Sequence, residues 1–129
     1  MTAEPPRDAA LSPAERETLR RLLGDDRERT MERIASLTRD WDAMVESSAL
    51  VATDDEHDPD GSSTAFERAH VQSLLDQARS HVADLDTALE RLRGGAYGVC
   101  EGCGSPIAVE RLMVRPAART CVGCAAARR

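Results

Sequence analysis

The sequence predicts an all-α protein: a long antiparallel coiled-coil hairpin followed by a small C-terminal module built on four cysteines. Three observations predict it. Apolar residues recur at helical-seam spacing on both sides of a polar turn. That turn, "TDDEHDPDGSST", is short and strongly acidic. The cysteines form two Cys-x2-Cys pairs near the C-terminal end, where large apolar side chains are few.

Composition narrows the alternatives. The aromatic residues are Trp41, Phe66 and Tyr97, too few for a broad globular core, while 31% of residues are charged, which favours long solvated helices. The net charge of −6 argues against non-specific binding to nucleic acid or to an anionic membrane. The charge is uneven: residues 1–93 carry 21 acids and 12 arginines, residues 94–129 two acids and five arginines. No apolar run approaches the roughly 18 residues that a membrane helix needs. "MTAEPPRDAA" lacks the apolar centre of a signal peptide, so the cytoplasm is the expected location and reduced cysteines the expected state.

Residues 1–10 read as a flexible tail. In "LSPAERETLRRLL", Ser12 is a good N-cap, Pro13 suits the first helical position and Glu15 completes a capping box. The seam of this first helix runs through Leu19, Leu22, Leu23, Ile34, Leu37, Trp41, Met44 and Val51, with Trp41 and Met44 expected in the core. Gly24, Asp25 and Asp26 interrupt it, leaving a bend or a break there open. The second seam, Val71, Leu75, Ala78, Val82, Leu85, Leu89 and Leu92, steps 4-3-4-3-4-3, the mark of a coiled coil. Gly94–Gly95 should end it. A narrow stripe suits one partner, and the turn is short, so residues 11–93 are expected to fold back on themselves in a monomer, with a tip at 53–63.

Residues 94–129 hold Cys100, Cys103, Cys121 and Cys124 in the pattern C-x2-C-x17-C-x2-C. Two intervening residues let a knuckle aim both sulfurs at one ion, and Gly102, Gly104 and Gly123 are placed to ease the knuckles. Four thiolates close a tetrahedron and leave no position for a substrate water, so one structural Zn²⁺ is expected. It would cross-link a segment too small to fold on its own core. A redox dithiol pair or two disulfides are the competing readings. A closed metal site and the lack of any nucleophile–base pairing argue against an enzyme. Arg111, Arg115 and Arg119 lie between the knuckles, with no interleaved aromatics and no groove-reading helix to support direct binding to DNA.

The run Tyr97-Gly98-x-Cys100-x-x-Cys103-Gly104-x-x-Ile107, continued by Arg111-Leu112, Pro116 and Cys121-x-x-Cys124, closely resembles the finger of the DksA/TraR family. The order of hairpin and finger resembles that family more loosely. The resemblance implies a bacterial, cytoplasmic, zinc-binding transcription regulator that binds RNA polymerase. Its hairpin would enter the polymerase's secondary channel and bring an acidic tip towards the magnesium-bearing active site. Some members act with the alarmone ppGpp, to which no residue here is assigned. Asp54, Asp55, Glu56, Asp58 and Asp60 are then the expected contact residues. The tip departs from the family's Asp-x-x-Asp-x-Ala pattern: read from Asp58, the second Asp and the Ala are both missing, and read from Asp55, both acids are present but Asp60 stands where Ala belongs.

Two other readings of the acidic turn compete. Glu56-x-Asp58-x-Asp60-Gly61-x5-Glu67 has EF-hand spacing, opposed by Glu at its first position, Pro59 within the coil and Ser63 at the eighth. A solvated turn whose Ser62, Ser63 or Thr64 caps the next helix explains two or three of the acids, not five crowded together. The favoured function is a polymerase-binding regulator. The alternative is a zinc-finger adaptor for another protein, and direct DNA binding ranks third.

Overall fold

A computed structural model describes residues 11–51 and 59–127. The expected tail and the acids Asp54, Asp55, Glu56 and Asp58 lie outside them. The order is α1 (Pro13–Val51), α2 (Pro59–Gly94), α3 (Val109–Val114) and α4 (Val122–Ala127). Among the described residues there is no strand, only an isolated bridge between Val99 and Pro106. No helix among them is long and apolar enough to cross a membrane.

The capping box forms as read. Ser12 N–H donates to Glu15 Oε1 at 2.8 Å, and Glu15 N–H donates to Ser12 Oγ at 3.1 Å. From there α1 runs without a break through Gly24–Asp26. A single helical glycine costs about 1 kcal/mol, too little to break a helix that is packed on both sides of it. The start of α2 corrects the sequence reading. The helix opens at Pro59, so Ser62, Ser63 and Thr64 are interior residues and not caps. Proline's fixed φ suits the first helical turn. Residues 59–67 are therefore helical, which removes the coil an EF-hand loop would need. Asp60 falls in the first turn of α2.

The chain divides into two compact units, Met1–Arg27 with Ala83–Arg129, and Glu28–Val82. The first joins the adjacent ends of α1 and α2 to the cysteine module. There the helices are antiparallel: Arg16 reaches the Leu92 carbonyl, whereas Arg27, further along α1, meets Asp86, earlier on α2. One cluster fills this unit: Leu19 and Leu23 from α1, Leu85, Ala88 and Leu92 from α2, and Tyr97, Cys100, Ile107 and Leu112 beyond. Ala88, off the predicted seam, is buried here, while Leu89 only flanks the cluster. The cysteine module adds a second neighbour to α2 and widens its buried arc by one position.

Among the described residues of the second unit, those buried are Val71, Leu75 and Ala78 on α2 and Thr30 on α1. Ile34, Leu37, Trp41 and Met44 are half-buried, so the core role expected for Trp41 and Met44 is reduced. Thr30 lies four residues before Ile34 and fills the seam that the sequence left empty after Leu23.

Candidate metal centre

The C-terminal end of α2 leads directly into the site. Gly95 takes φ 83°, and the Ala96 and Tyr97 N–H groups both return to the Arg91 carbonyl, at 2.9 and 3.1 Å. Only glycine adopts that left-handed conformation at little cost. The chain then enters the first knuckle. Cys100 N–H donates to Ser105 O at 2.8 Å and Gly104 N–H to Cys100 O at 2.9 Å, closing a tight turn around Cys100–Cys103. At Gly102 a Cβ would stand 3.0 Å from Cys124 Sγ, so any side chain would push into the sulfur cluster. Gly123 is different: it has neither a positive φ nor a close neighbour, so its expected role in the second knuckle is not one of space or backbone freedom.

The four sulfurs converge. Sγ atoms of Cys100, Cys103, Cys121 and Cys124 all lie within 4.8 Å of one another, and Cys103 and Cys121 are 3.8 Å apart. A tetrahedron of sulfurs about 2.3 Å from a zinc ion has edges of about 3.8 Å, so the spacing suits one ion. All four cysteines are free thiols, the form in which they can bind an ion. Backbone donors point at the sulfurs: Cys121 N–H and Gly102 N–H to Cys100 Sγ at 3.2 and 3.3 Å, and Cys124 N–H to Cys121 Sγ at 3.4 Å. Such bonds favour thiolates. The N–H of Cys121 leads in lowering the Cys100 thiol to about 6, and the Ser105 hydroxyl leads in lowering Cys103. Cys124 is pushed up to about 12 because its three neighbouring thiols crowd it. A divalent cation relieves that conflict by replacing the shared protons, and the donor set is that of a soft, tetrahedral metal.

The surrounding shell is largely hydrogen-bonded. Arg111 Nε donates to Thr120 O at 2.9 Å, and Arg119 Nε to Glu101 Oε1 at 3.1 Å. Two of the three arginines between the knuckles are thus committed within the module, while Arg115 is exposed. Sequence reasoning did not single out Glu101 or its second partner, Arg91. The available signal was charge: residues 94–129 hold only two acids among five arginines.

Tyr97 closes the far side. It is buried, and its hydroxyl donates to Pro116 O at 2.7 Å. Burial raises its pKa to about 12. The raised value means the neutral form is favoured in the fold. That contribution is complete below the ordinary tyrosine range, near pH 10, and is lost as pH climbs towards 12. Tyr97 is the chain's single tyrosine, so absorbance at 295 nm reads it alone. The folded protein should titrate near pH 12 and the denatured chain near 10. Tyr97→Phe should cost about 1 kcal/mol by leaving Pro116 O without its donor. A folded midpoint near 10 would show that the ring is not enclosed.

Residues 95–129 match the prokaryotic dksA/traR C4-type zinc finger. The chain is 39% identical over 59 residues to the RNA polymerase-binding transcription factor DksA of Caulobacter vibrioides, spanning 46% of this chain and 42% of that protein. It is 34% identical over 80 residues to YteA of Bacillus subtilis, spanning 62% of this chain and 32% of that protein. The chain therefore spans less than half the length of these curated relatives. Its structure is similar to that of the transcription factor DksA2 from Pseudomonas aeruginosa, with a TM-score of 0.74 and 26% identity, covering 91% of this chain and 84% of that one. The finger over residues 95–129 is thus of the DksA/TraR C4 type, and the all-α fold is similar to that of a DksA protein.

Proposed function

We propose that this protein is a cytoplasmic, non-enzymatic transcription regulator that binds RNA polymerase and presents the acids of residues 53–63 in the polymerase's secondary channel. The observation that carries the reading is the combined likeness to DksA proteins: the finger over 95–129 and the fold over 91% of the chain. In this reading Cys100, Cys103, Cys121 and Cys124 hold one structural Zn²⁺. The ion supplies a rigid cross-link and no open coordination position. Asp54, Asp55, Glu56, Asp58 and Asp60 form the contact surface. Carboxylates are hard oxygen donors, suited to Mg²⁺ and to basic groups around a nucleotidyl-transfer site.

Co-purification with polymerase and transcription in vitro test the proposal. The triple variant Asp55→Ala/Asp58→Ala/Asp60→Ala should keep its zinc and helicity and lose its effect on transcript yield. An unchanged effect would remove the tip from the mechanism. Failure of the wild-type chain to bind polymerase would favour the adaptor reading instead.

A further inference from the structure

We propose that Glu101, held between Arg91 and Arg119, is a positioning residue that joins the two cysteine knuckles and raises the module's affinity for zinc. The inference rests on the reading of the four cysteines as zinc ligands.

Glu101 is the neighbour of Cys100, in the first knuckle. Arg119 lies two residues before Cys121, at the entrance to the second. A pair of contacts ties these segments: Glu101 N–H donates to Arg119 O at 2.9 Å, and Arg119 Nε donates to Glu101 Oε1 at 3.1 Å. Glu101 thus binds the second knuckle's approach through backbone and side chain at once. The same Oε1 accepts from Arg91 NH1 at 3.0 Å. Arg91 in turn donates through NH2 to Ala96 O at 3.1 Å and to Val99 O at 3.0 Å. Its own carbonyl accepts the Ala96 and Tyr97 amides. The guanidinium's planar fork therefore fixes the whole approach from the end of α2 to Cys100.

Most of this network is protein-to-protein and involves no sulfur. Its consequence concerns the metal nonetheless. Four thiolates brought together without a cation repel one another, and ordering two separate loops carries an entropy cost. Contacts that hold both knuckles in register before the ion arrives reduce the part of that cost taken from the binding free energy. Partners outside the ligand set commonly change metal affinity by about ten- to a hundredfold. Glu101 is only about one-third exposed in its side chain (35%) and Arg91 less (22%), so water screens this pair less than a fully solvated one.

The test is competition for zinc between this 129-residue chain and a chromophoric chelator, with the zinc off-rate followed in parallel. Glu101→Ala should bind zinc at least about tenfold more weakly. Glu101→Gln, which keeps an acceptor oxygen and loses the charge, should fall between it and wild type. Arg91→Met should weaken binding too. Arg91→Met with Glu101→Ala should lose less than the two single losses combined, because both act through one contact. Arg27→Met breaks the ion pair with Asp86, away from the knuckles, and should leave zinc affinity unchanged. Wild-type affinity in Glu101→Ala, or an equal loss in Arg27→Met, would overturn the inference. A wild-type chain without zinc would overturn the ligand assignment itself, a different and recognisable failure.

Discussion

Removing the metal should unfold the module after Gly95 and leave the helices of the Glu28–Val82 unit standing. The expected magnitude follows from size. A structural zinc site contributes an apparent free energy of about 10–16 kcal/mol at neutral pH. A whole small domain is stable by only about 5–15 kcal/mol. The module keeps Tyr97, Cys100, Ile107 and Leu112 as its buried apolar residues, and one of these is a cysteine of the site. Beyond them it has only the cluster that these residues share with the ends of α1 and α2. Hydrogen exchange with mass spectrometry gives the readout. In the loaded protein, amides that make defined bonds, such as Cys100 to Ser105 O, Ile107 to Gly98 O and Glu101 to Arg119 O, should exchange slowly. After chelation, or in Cys121→Ser, they should exchange at the rate of an open chain. Amides near Leu75, deep in the helical seam of the other unit, should stay protected. Metal content should be one zinc per chain before chelation. A module that stays protected without metal would mean its fold rests on something other than the sulfurs.

What the sequence makes legible here, and what it hides, follows from how local each determinant is. The Ser12–Glu15 box is two reciprocal bonds over three residues, and reading the string is enough to find it. The seam of α2 is a repeat along one strand of sequence. The cysteine pairs are each two residues apart, and only their meeting is non-local. The less legible features depend on partners. Thr30 is a polar residue in a seam position, so a search for apolar periodicity passes over it, although the fold buries it. Ala88 belongs to the cluster that α2 shares with α1 and the cysteine module, and no repeat along α2 announces it. The first turn of α2 is hard to place from the sequence because three consecutive hydroxyl residues look like caps, whereas Pro59 already suits the helical φ. The Arg91–Glu101–Arg119 network joins residues up to 28 positions apart through side-chain reach, which no spacing rule contains. Within the candidate site, the sequence therefore names the ligands and not the residues that hold them in place.

The second large effect should come from Leu112, which has no exposed surface. It sits in α3 between the knuckles, and a methyl of its side chain lies 3.6 Å from where a Cβ on Gly98 would be. Leu112 shares its cluster with Leu19 and Leu23 of α1 and Leu85 and Leu92 of α2. It is thus the finger's main apolar contribution to a core built from three segments of chain. Leu112→Ala should cost about 2–5 kcal/mol, from lost burial and from the cavity left behind. Denaturant unfolding with zinc in fixed excess measures it, because free metal otherwise shifts the apparent stability. Val114, two residues on and 81% exposed, is the internal comparison, and Val114→Ala should change stability by less than about 0.5 kcal/mol. Leu23→Ala should cost as much as Leu112→Ala. The two together should depart from the sum of the single losses, since both side chains belong to one cluster. Strict additivity would mean that the finger and the base of the helix pair are stabilised separately. In that case the metal would order only its own loops, and its loss would not reach the ends of α1 and α2 that share the cluster.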